Sequence, residues 1–275
     1  MKLKELHALM QDIAPFDSPK PALEQYPTGP DIASRMLYTI ESAYGDIAGR
    51  VVADLGTGTG MLAIGAALLG SPAVLGVDVD ADALAVAQAN ADAYDEPLPI
   101  DFVLSEVGAL PRAAGRLAPH TVVMNPPFGT KAGAKGADVA FLRAAAALRP
   151  AAIYSLHKTS TRAHIEKVAL RELGCVSAEV IAELRYALPA TMRFHKCGGA
   201  QRRAAGPGAW GGAGLARRSP TPPPPRPRRV RRQSSVDIAV DVWRLALRHG
   251  SDGGGSSSEG EGGSEAGESS GDGGG

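Results

Sequence analysis

The stretch VVADLGTGTGMLAIG, residues 51–65, limits what this chain can fold into more than any other. An apolar run rich in β-branched residues reaches an acid, Asp54, passes through glycines at 56, 58 and 60, and enters an apolar helix-forming segment. A strand that feeds a helix through a glycine turn is the opening unit of a parallel α/β sheet. Parallel strands are covered on both faces and read as continuous apolar runs. Further strand-like segments, several of them such runs, lie at 73–80, 100–106, 121–125, 152–157, 177–184 and 236–243. Helical patterns at 61–70, 81–94, 137–148 and 162–173 alternate with them, and a further helix over about 31–44 precedes the sheet. This order predicts a doubly wound α/β fold with a seven-stranded, mostly parallel, Rossmann-like sheet.

Composition divides the chain. Residues 1–196 carry the mixed periodicity of one globular domain, and residues 234–249 return to it with a strand-like alternation. Between them, 197–233 is rich in Gly, Pro and Arg, holds nine arginines and no acid, and is expected to be disordered because it cannot build a core. Residues 250–275 form an acidic Gly/Ser-rich tail, expected to be flexible. Formal net charge is zero, the sum of a basic insertion, an acidic tail and a nearly neutral, slightly acidic remainder. Two cysteines, Cys175 and Cys197, exclude a disulfide scaffold and a Cys-rich zinc site, and no metal site is expected. No apolar run is long enough for a membrane helix, and the N-terminus lacks the apolar core of a secretory signal.

The glycine loop sits where a ligand can approach backbone at a helix N-terminus. Its spacing is G-x-G-x-G rather than the G-x-G-x-x-G of dinucleotide folds, and Asp54 precedes it. A carboxylate there disfavours a pyrophosphate and favours a cationic amino-acid group. That points to S-adenosylmethionine over NAD, with Gly56, Gly58 and Gly60 shaping the loop. Asp78 ends the second strand about 20 residues on, where a carboxylate holds a ribose diol. Asp80 reads as the N-cap of the next helix. Glu106, ending the third strand, reads as an acceptor for an adenine amine or as a solvated turn acid. In EQYPTGPD, Thr28 reads as a helix N-cap, Pro30 as the first turn and Asp31 as the partner in a capping box, which leaves Gln25 and Tyr26 unexplained.

Asn125-Pro126-Pro127-Phe128 ends the fourth strand, beside the first in a doubly wound sheet, where ligands bind. Two prolines hold the asparagine in one conformation. The exocyclic amine of adenine is a weak nucleophile because its lone pair is delocalised. The Asn125 oxygen and the Pro126 carbonyl can accept its two N–H bonds and turn the lone pair toward a methyl group, an orientation effect rather than a proton transfer. Phe128 is placed to stack on a flipped-out base. His157 reads as a satisfied histidine at the sheet edge. Lys131, Lys135, Arg162, His164, Arg193, His195 and Lys196 are candidates for an RNA path.

These segments, together with KGADVAFL, IYSLHKTSTRAHI, IAELRYALPATMRFHK and SVDIAVDVWR, resemble the methyltransferase-like protein 5 family of eukaryotes over about 1–196 and 234–247. The resemblance implies a class I S-adenosylmethionine-dependent methyltransferase acting on N6 of an adenosine in 18S small-subunit rRNA, working in the nucleus, the nucleolus or the cytoplasm. It implies a cofactor pocket of Gln25, Thr28, Gly56, Thr59, Met61 and Asp78, with Glu106 and Val107 at the adenine end. It also implies Asn125 to Phe128 as the catalytic loop, and a heterodimer with a small zinc-binding activator protein that pairs with a sheet edge. Threonines stand at 57 and 59 where the family commonly has cysteines, Glu106 replaces an aspartate, and the 197–233 insertion splits the final hairpin. Two alternatives remain at this level. One is a methyltransferase of another planar amine or amide, such as protein glutamine or rRNA guanine; the other is a non-catalytic ribosome-assembly factor using the arginine-rich segment.

Overall fold

A computed structural model describes residues 1–110, 119–129, 136–189 and 235–247. The 197–233 insertion, the 250–275 tail, and Lys131, Lys135, Arg193, His195 and Lys196 lie outside the described residues. Seven strands, β1 (Val51–Leu55), β2 (Ala73–Asp78), β3 (Ile100–Leu104), β4 (Thr121–Met124), β5 (Ala152–Lys158), β6 (Ser177–Pro189) and β7 (Ser235–Ala246), form one sheet in the order β3-β2-β1-β4-β5-β7-β6. The strands from β3 to β5 pair in parallel, and β7 runs antiparallel to both β5 and β6. The segment expected as the last strand is therefore inserted between β5 and β6, whatever the length of chain that connects it.

The helices are α1 (Leu3–Met10), α2 (Pro30–Tyr44), α3 (Met61–Leu68), α4 (Ala81–Asp92), α5 (Ala137–Ala147) and α6 (Arg162–Arg171). Successive strand side chains point to opposite faces, so the apolar runs feed two cores. Val52, Val74 and Val123 pack with Leu6, Met10, Leu37, Ile40 and Ile64 of α1, α2 and α3. Ala53, Leu55, Val122 and Met124 pack on the other face with Leu142 of α5, Ile165 of α6 and Trp243. Helix α1 was not expected from sequence. Its Leu6 and Met10 are fully buried, against α3 where Gly65 lets the side chains of Met10 and Leu37 come close.

Strand β7 is pinned by a buried acid. Asp241, fully buried, accepts from Arg162 Nε and Nη2 at 2.8 Å each and from Thr159 Oγ1 at 2.8 Å. Arg162 also donates to Glu183 on β6 at 2.6 Å, so the side chain expected on an RNA path ties α6 to both C-terminal strands. Burial pushes the Asp241 pKa up, but the bonds from Arg162 and Thr159 outweigh it and hold the pKa below the usual carboxylate value.

Asp241→Ala should destabilise the fold by roughly 1.5–3 kcal/mol, the scale of hydrogen bonds to a charged group. A depressed carboxylate pKa contributes stability above the unfolded value and loses it as pH falls through the folded one. Chemical denaturation should therefore show the full gap between variant and parent at neutral pH, closing only below the ordinary carboxylate range. A gap of the same size throughout acid would contradict the ion-pair account.

Candidate active site

The site forms at the carboxyl ends of β1, β2 and β4. Asp54 is almost fully buried, and its Oδ2 accepts from Thr57 Oγ1 at 2.7 Å and from the Ala63 amide at 3.0 Å. One carboxylate thus ties the glycine loop to the first turn of α3. Burial pushes its pKa up to about 7, opposed by the bonds from Thr57 and Ala63. Its Oδ1 has no hydrogen-bond partner among the described residues. Asp78 Oδ2 accepts from the Gly58 amide at 2.9 Å, and its Oδ1 accepts from the Asp80 amide at 3.0 Å. Burial raises its pKa too.

Gly56 and Gly58 have φ of +73° and +56°, the left-handed region that favours glycine. A Cβ at Gly56 would stand 2.9 Å from the Phe141 ring, and one at Gly58 would stand 2.8 Å from the Phe16 ring. Gly60 faces away from the cavity, where a Cβ would meet Ala87, Ile64 and Phe102 at 3.3–3.4 Å. It serves the packing of α3 and α4 on the sheet rather than a ligand wall.

A segment preceding α2, residues 11–29, lies across this end of the sheet. Asn90 of α4 accepts from the Ala14 amide at 2.9 Å and donates to the carbonyls of Ala14 and Thr59 at 3.1 and 2.9 Å. Lys20 Nζ bonds Asp80 and Asp82 at 2.5 and 2.6 Å. Gln25 donates to Asp80 Oδ2 at 2.6 Å and accepts from the Lys20 amide at 2.7 Å. Asp80 also caps α4 through the Asp82 amide, as the sequence indicated. Burial raises its pKa, but Lys20 and Gln25 outweigh that and lower it. Asp80 is thus committed to the segment and the helix, and the Gln25 amide is committed to Asp80 and Lys20.

Under this segment are two chambers. The larger, about 290 Å³, is lined by Phe16, Gln25, Tyr26, Asp78, Glu106, Val107, Pro127 and Phe141, with Glu106 exposed at its mouth. The smaller, about 40 Å³, is lined by Thr28, Asp54, Thr57, Thr59 and Met61. Gly56, Gly58, Tyr26, Phe16 and Asn125 stand on the walls of both. Asn125 therefore lies at their seam, held there by the in-register pairing that sets Leu55 beside Met124. The structure brings together Gln25, Thr28, Asp54, Gly56, Gly58, Thr59, Met61, Asp78, Glu106, Val107, Asn125 and Pro127.

Some expectations require correction. Thr28 is not the N-cap of α2: Gly29 holds that position, with Pro30 first in the helix, and no side chain caps it. The Thr28 hydroxyl instead accepts from Asn125 Nδ2 at 2.9 Å. Asp31 bonds Arg35 at 3.0 Å rather than completing a capping box. His157 is not at the sheet edge, since β5 lies between β4 and β7. It is buried, with Nε2 at 2.8 Å from Ser155 Oγ and Nδ1 at 3.6 Å from Asp138. Phe128 is largely buried, nearly parallel to the Tyr26 ring with centroids 6.3 Å apart. Lys158 Nζ sits 5.9 Å from the centre of the Phe128 ring and donates to the Phe128 carbonyl at 3.2 Å. Burial lowers the Lys158 pKa, with Glu24 and Asp138 opposing. Sequence reasoning missed Phe16, Tyr26 and Phe141 as walls; an aromatic residue at an isolated position carries no periodic signal that separates wall from core. Among the described residues no cluster of His, Cys, Asp or Glu could hold a metal, and no helix is long and apolar enough to cross a membrane.

Gly58→Ala should lower stability by about 1–2 kcal/mol through the left-handed conformation alone. It should also weaken binding of S-adenosylhomocysteine at least tenfold, because the added methyl and the displaced Phe16 ring both enter the seam. Thermal melting and calorimetry measure the two effects. Unchanged affinity would place the ligand elsewhere.

The sequence profile of the ribosomal protein L11 methyltransferase (PrmA) family matches residues 34–104, from α2 to the end of β3. The chain is 48% identical over 196 residues to the Danio rerio rRNA N6-adenosine-methyltransferase METTL5, covering 71% of this chain and 92% of that protein. It is 44% identical over 247 residues to Drosophila melanogaster Mettl5, which carries the same description, covering 90% of this chain and 97% of that one. A crystal structure of a candidate RNA methyltransferase from Pyrococcus horikoshii superposes with a TM-score of 0.64 at 30% identity, covering 90% of this chain and 98% of the other.

Proposed function

Because the chain belongs to the METTL5 family of rRNA N6-adenosine methyltransferases, we propose that its two chambers hold S-adenosylmethionine and that Asn125, at their seam, presents the acceptor adenine. The chain is an S-adenosylmethionine-dependent rRNA adenine-N6 methyltransferase of class I fold. The observation that carries the site assignment is the position of Asn125, the member of the Asn-Pro-Pro-Phe loop on both chamber walls.

The residues fit the cofactor. Asp54, whose Oδ1 has no hydrogen-bond partner among the described residues, lines a small polar chamber with Thr28 and Thr59, suited to the amino-acid end. The half-buried Asp78 carboxylate faces the larger chamber, suited to the ribose diol, with Glu106 and Val107 beyond it for the adenine. Gln25 supports this wall by fixing the overlying segment to Asp80. When bound, S-adenosylmethionine supplies a methyl group on an electrophilic sulfur. Asn125 and the Pro126 carbonyl accept from the amine and turn its lone pair toward that methyl, while Phe128 and Tyr26 exclude water around the base. An amide is no base, so these residues orient and do not remove a proton.

We further assign the substrate as 18S rRNA in the small ribosomal subunit or its precursor, and the partner as the small zinc-binding activator of RNA and protein methyltransferases. We propose that the protein works in the nucleus, the nucleolus or the cytoplasm, where such a substrate is made and used. Family membership supports both assignments. Mass spectrometry of nucleosides from small-subunit rRNA, with and without the protein, tests the substrate. One N6-methyladenosine should disappear without it; unchanged N6-methyladenosine would overturn the assignment. Asn125→Ala should reduce transfer at least 100-fold with cofactor affinity held within threefold, and a parallel collapse of affinity would overturn its role.

The raised Asp54 pKa gives a pH signature. A carboxyl whose folded pKa lies above its unfolded value stabilises the fold below about pH 4 and loses that contribution as pH rises through about 7. A cationic ligand group beside it favours the ionised form. S-Adenosylhomocysteine should therefore bind more tightly as pH rises from 6 to 8 and release protons on binding. Calorimetry in buffers of different ionisation enthalpy reads the release, and Asp54→Asn should abolish it. A pH-independent affinity in the parent would contradict the placement of the amino group.

A further inference from the structure

A primary amide has two ends of similar shape and opposite hydrogen-bonding character. Orienting an adenine amine requires the oxygen of Asn125, not its NH2, to face the acceptor. The two prolines that follow fix the backbone at this position but leave the last torsion of the side chain, a broad twofold rotor, unset. A flip about that torsion presents a donor to a donor and turns the amine away. Something outside the loop has to choose the flip.

The hydroxyl of Thr28 lies against that rotor. Asn125 Nδ2 donates to Thr28 Oγ1 at 2.9 Å, between residues 97 positions apart in the chain. The bond spends one N–H on Thr28 and turns the amide oxygen to the opposite side. Thr28 is itself 8% exposed, and it does not cap the helix that follows it. Its placement has no other structural use on α2. A hydroxyl can donate as well as accept, so Thr28 alone would tolerate either flip. The small chamber, which Thr28 lines, removes the ambiguity when it is filled, because the carboxylate of a cofactor's amino-acid end is an acceptor. An acceptor in that chamber takes the single Thr28 proton and leaves Oγ1 able only to accept.

We infer that Thr28 is a positioning residue for methyl transfer: its hydroxyl fixes the flip of the Asn125 amide, and occupancy of the small chamber by the cofactor's amino-acid end locks it. This rests on the site assignment above and adds a coupling to it. Filling of the small chamber sets the preference for an amine-bearing base at the seam. Thr28 does not touch the reacting atoms; it acts through Asn125.

The test uses the full chain and the variants Thr28→Val, close to isosteric but without a hydroxyl, Thr28→Ala and Thr28→Ser. Three quantities are measured: single-turnover transfer at saturating cofactor and RNA, affinity for S-adenosylhomocysteine, and preference in binding for a short oligouridine RNA with one adenosine over the same RNA with purine riboside, which lacks the amine. The parent should prefer adenosine, more strongly with S-adenosylhomocysteine present. Thr28→Val and Thr28→Ala should slow transfer tenfold to 100-fold, the scale expected when a reacting group is misplaced. They should lose the adenosine preference and weaken S-adenosylhomocysteine binding by less than they slow transfer. Thr28→Ser should restore the parent's behaviour in all three. Retained rate and preference in Thr28→Val would overturn the inference. So would a loss confined to S-adenosylhomocysteine affinity, which would make Thr28 a cofactor contact alone. Melting temperature is recorded throughout, and if the valine and alanine variants fail to fold, a serine variant that loses the preference overturns it. A parent with no adenosine preference would instead strike at the role of Asn125, leaving the two failures distinct.

Discussion

The buried carboxylate of Asp54 is the constraint on which the rest of the site depends. A charge placed at the end of a central strand has to be satisfied or neutralised. Here it accepts from the Thr57 hydroxyl and the Ala63 amide, which sets where the glycine loop turns and where α3 begins. Asp78, one strand over, binds the loop from the other side through the Gly58 amide. With its ends held by two carboxylates, the loop leaves a hollow at the carboxyl edge of the sheet. Phe16 and Phe141 close in on the glycines where side chains would otherwise stand.

Function follows from what surrounds that hollow. Strand β4 delivers Asn125 beside the loop, and the segment preceding α2 delivers Tyr26 and Thr28 from above, clamped to α4 through Asp80, Asp82 and Asn90. Three distant parts of the chain thus build the wall around the seam where methyl transfer is proposed. Methyl transfer from a sulfonium to an amine needs alignment more than it needs proton removal.

The sheet was legible in the sequence because its information is local. Apolar runs announced most strands, a strand-like alternation announced Ser235–Ala246 beyond the long insertion, and the succession of strands and helices announced the winding. The glycine loop, Asp78 and Asn125 were legible because each sits at a fixed offset from a strand end. What escaped was pairwise and distant. Thr28 carries the signature of a helix cap, and only its contact with Asn125 reveals another use. Arg162 looks like a phosphate ligand until Asp241 and Glu183 are seen to hold it. Helix α1 escaped because at eight residues its pattern is too short to separate from a loop, although Leu6 and Met10 complete the core.

Every role proposed above rests on the paired chambers being the cofactor site, with the acceptor loop at their seam. A crystal structure of the protein with S-adenosylhomocysteine tests it most directly. The ribose diol is expected on Asp78, the amino group beside Asp54 in the small chamber, and the sulfur at the seam facing Asn125. A ligand seated instead in the open groove lined by Asp82 and Asn90, with both chambers empty, would contradict it.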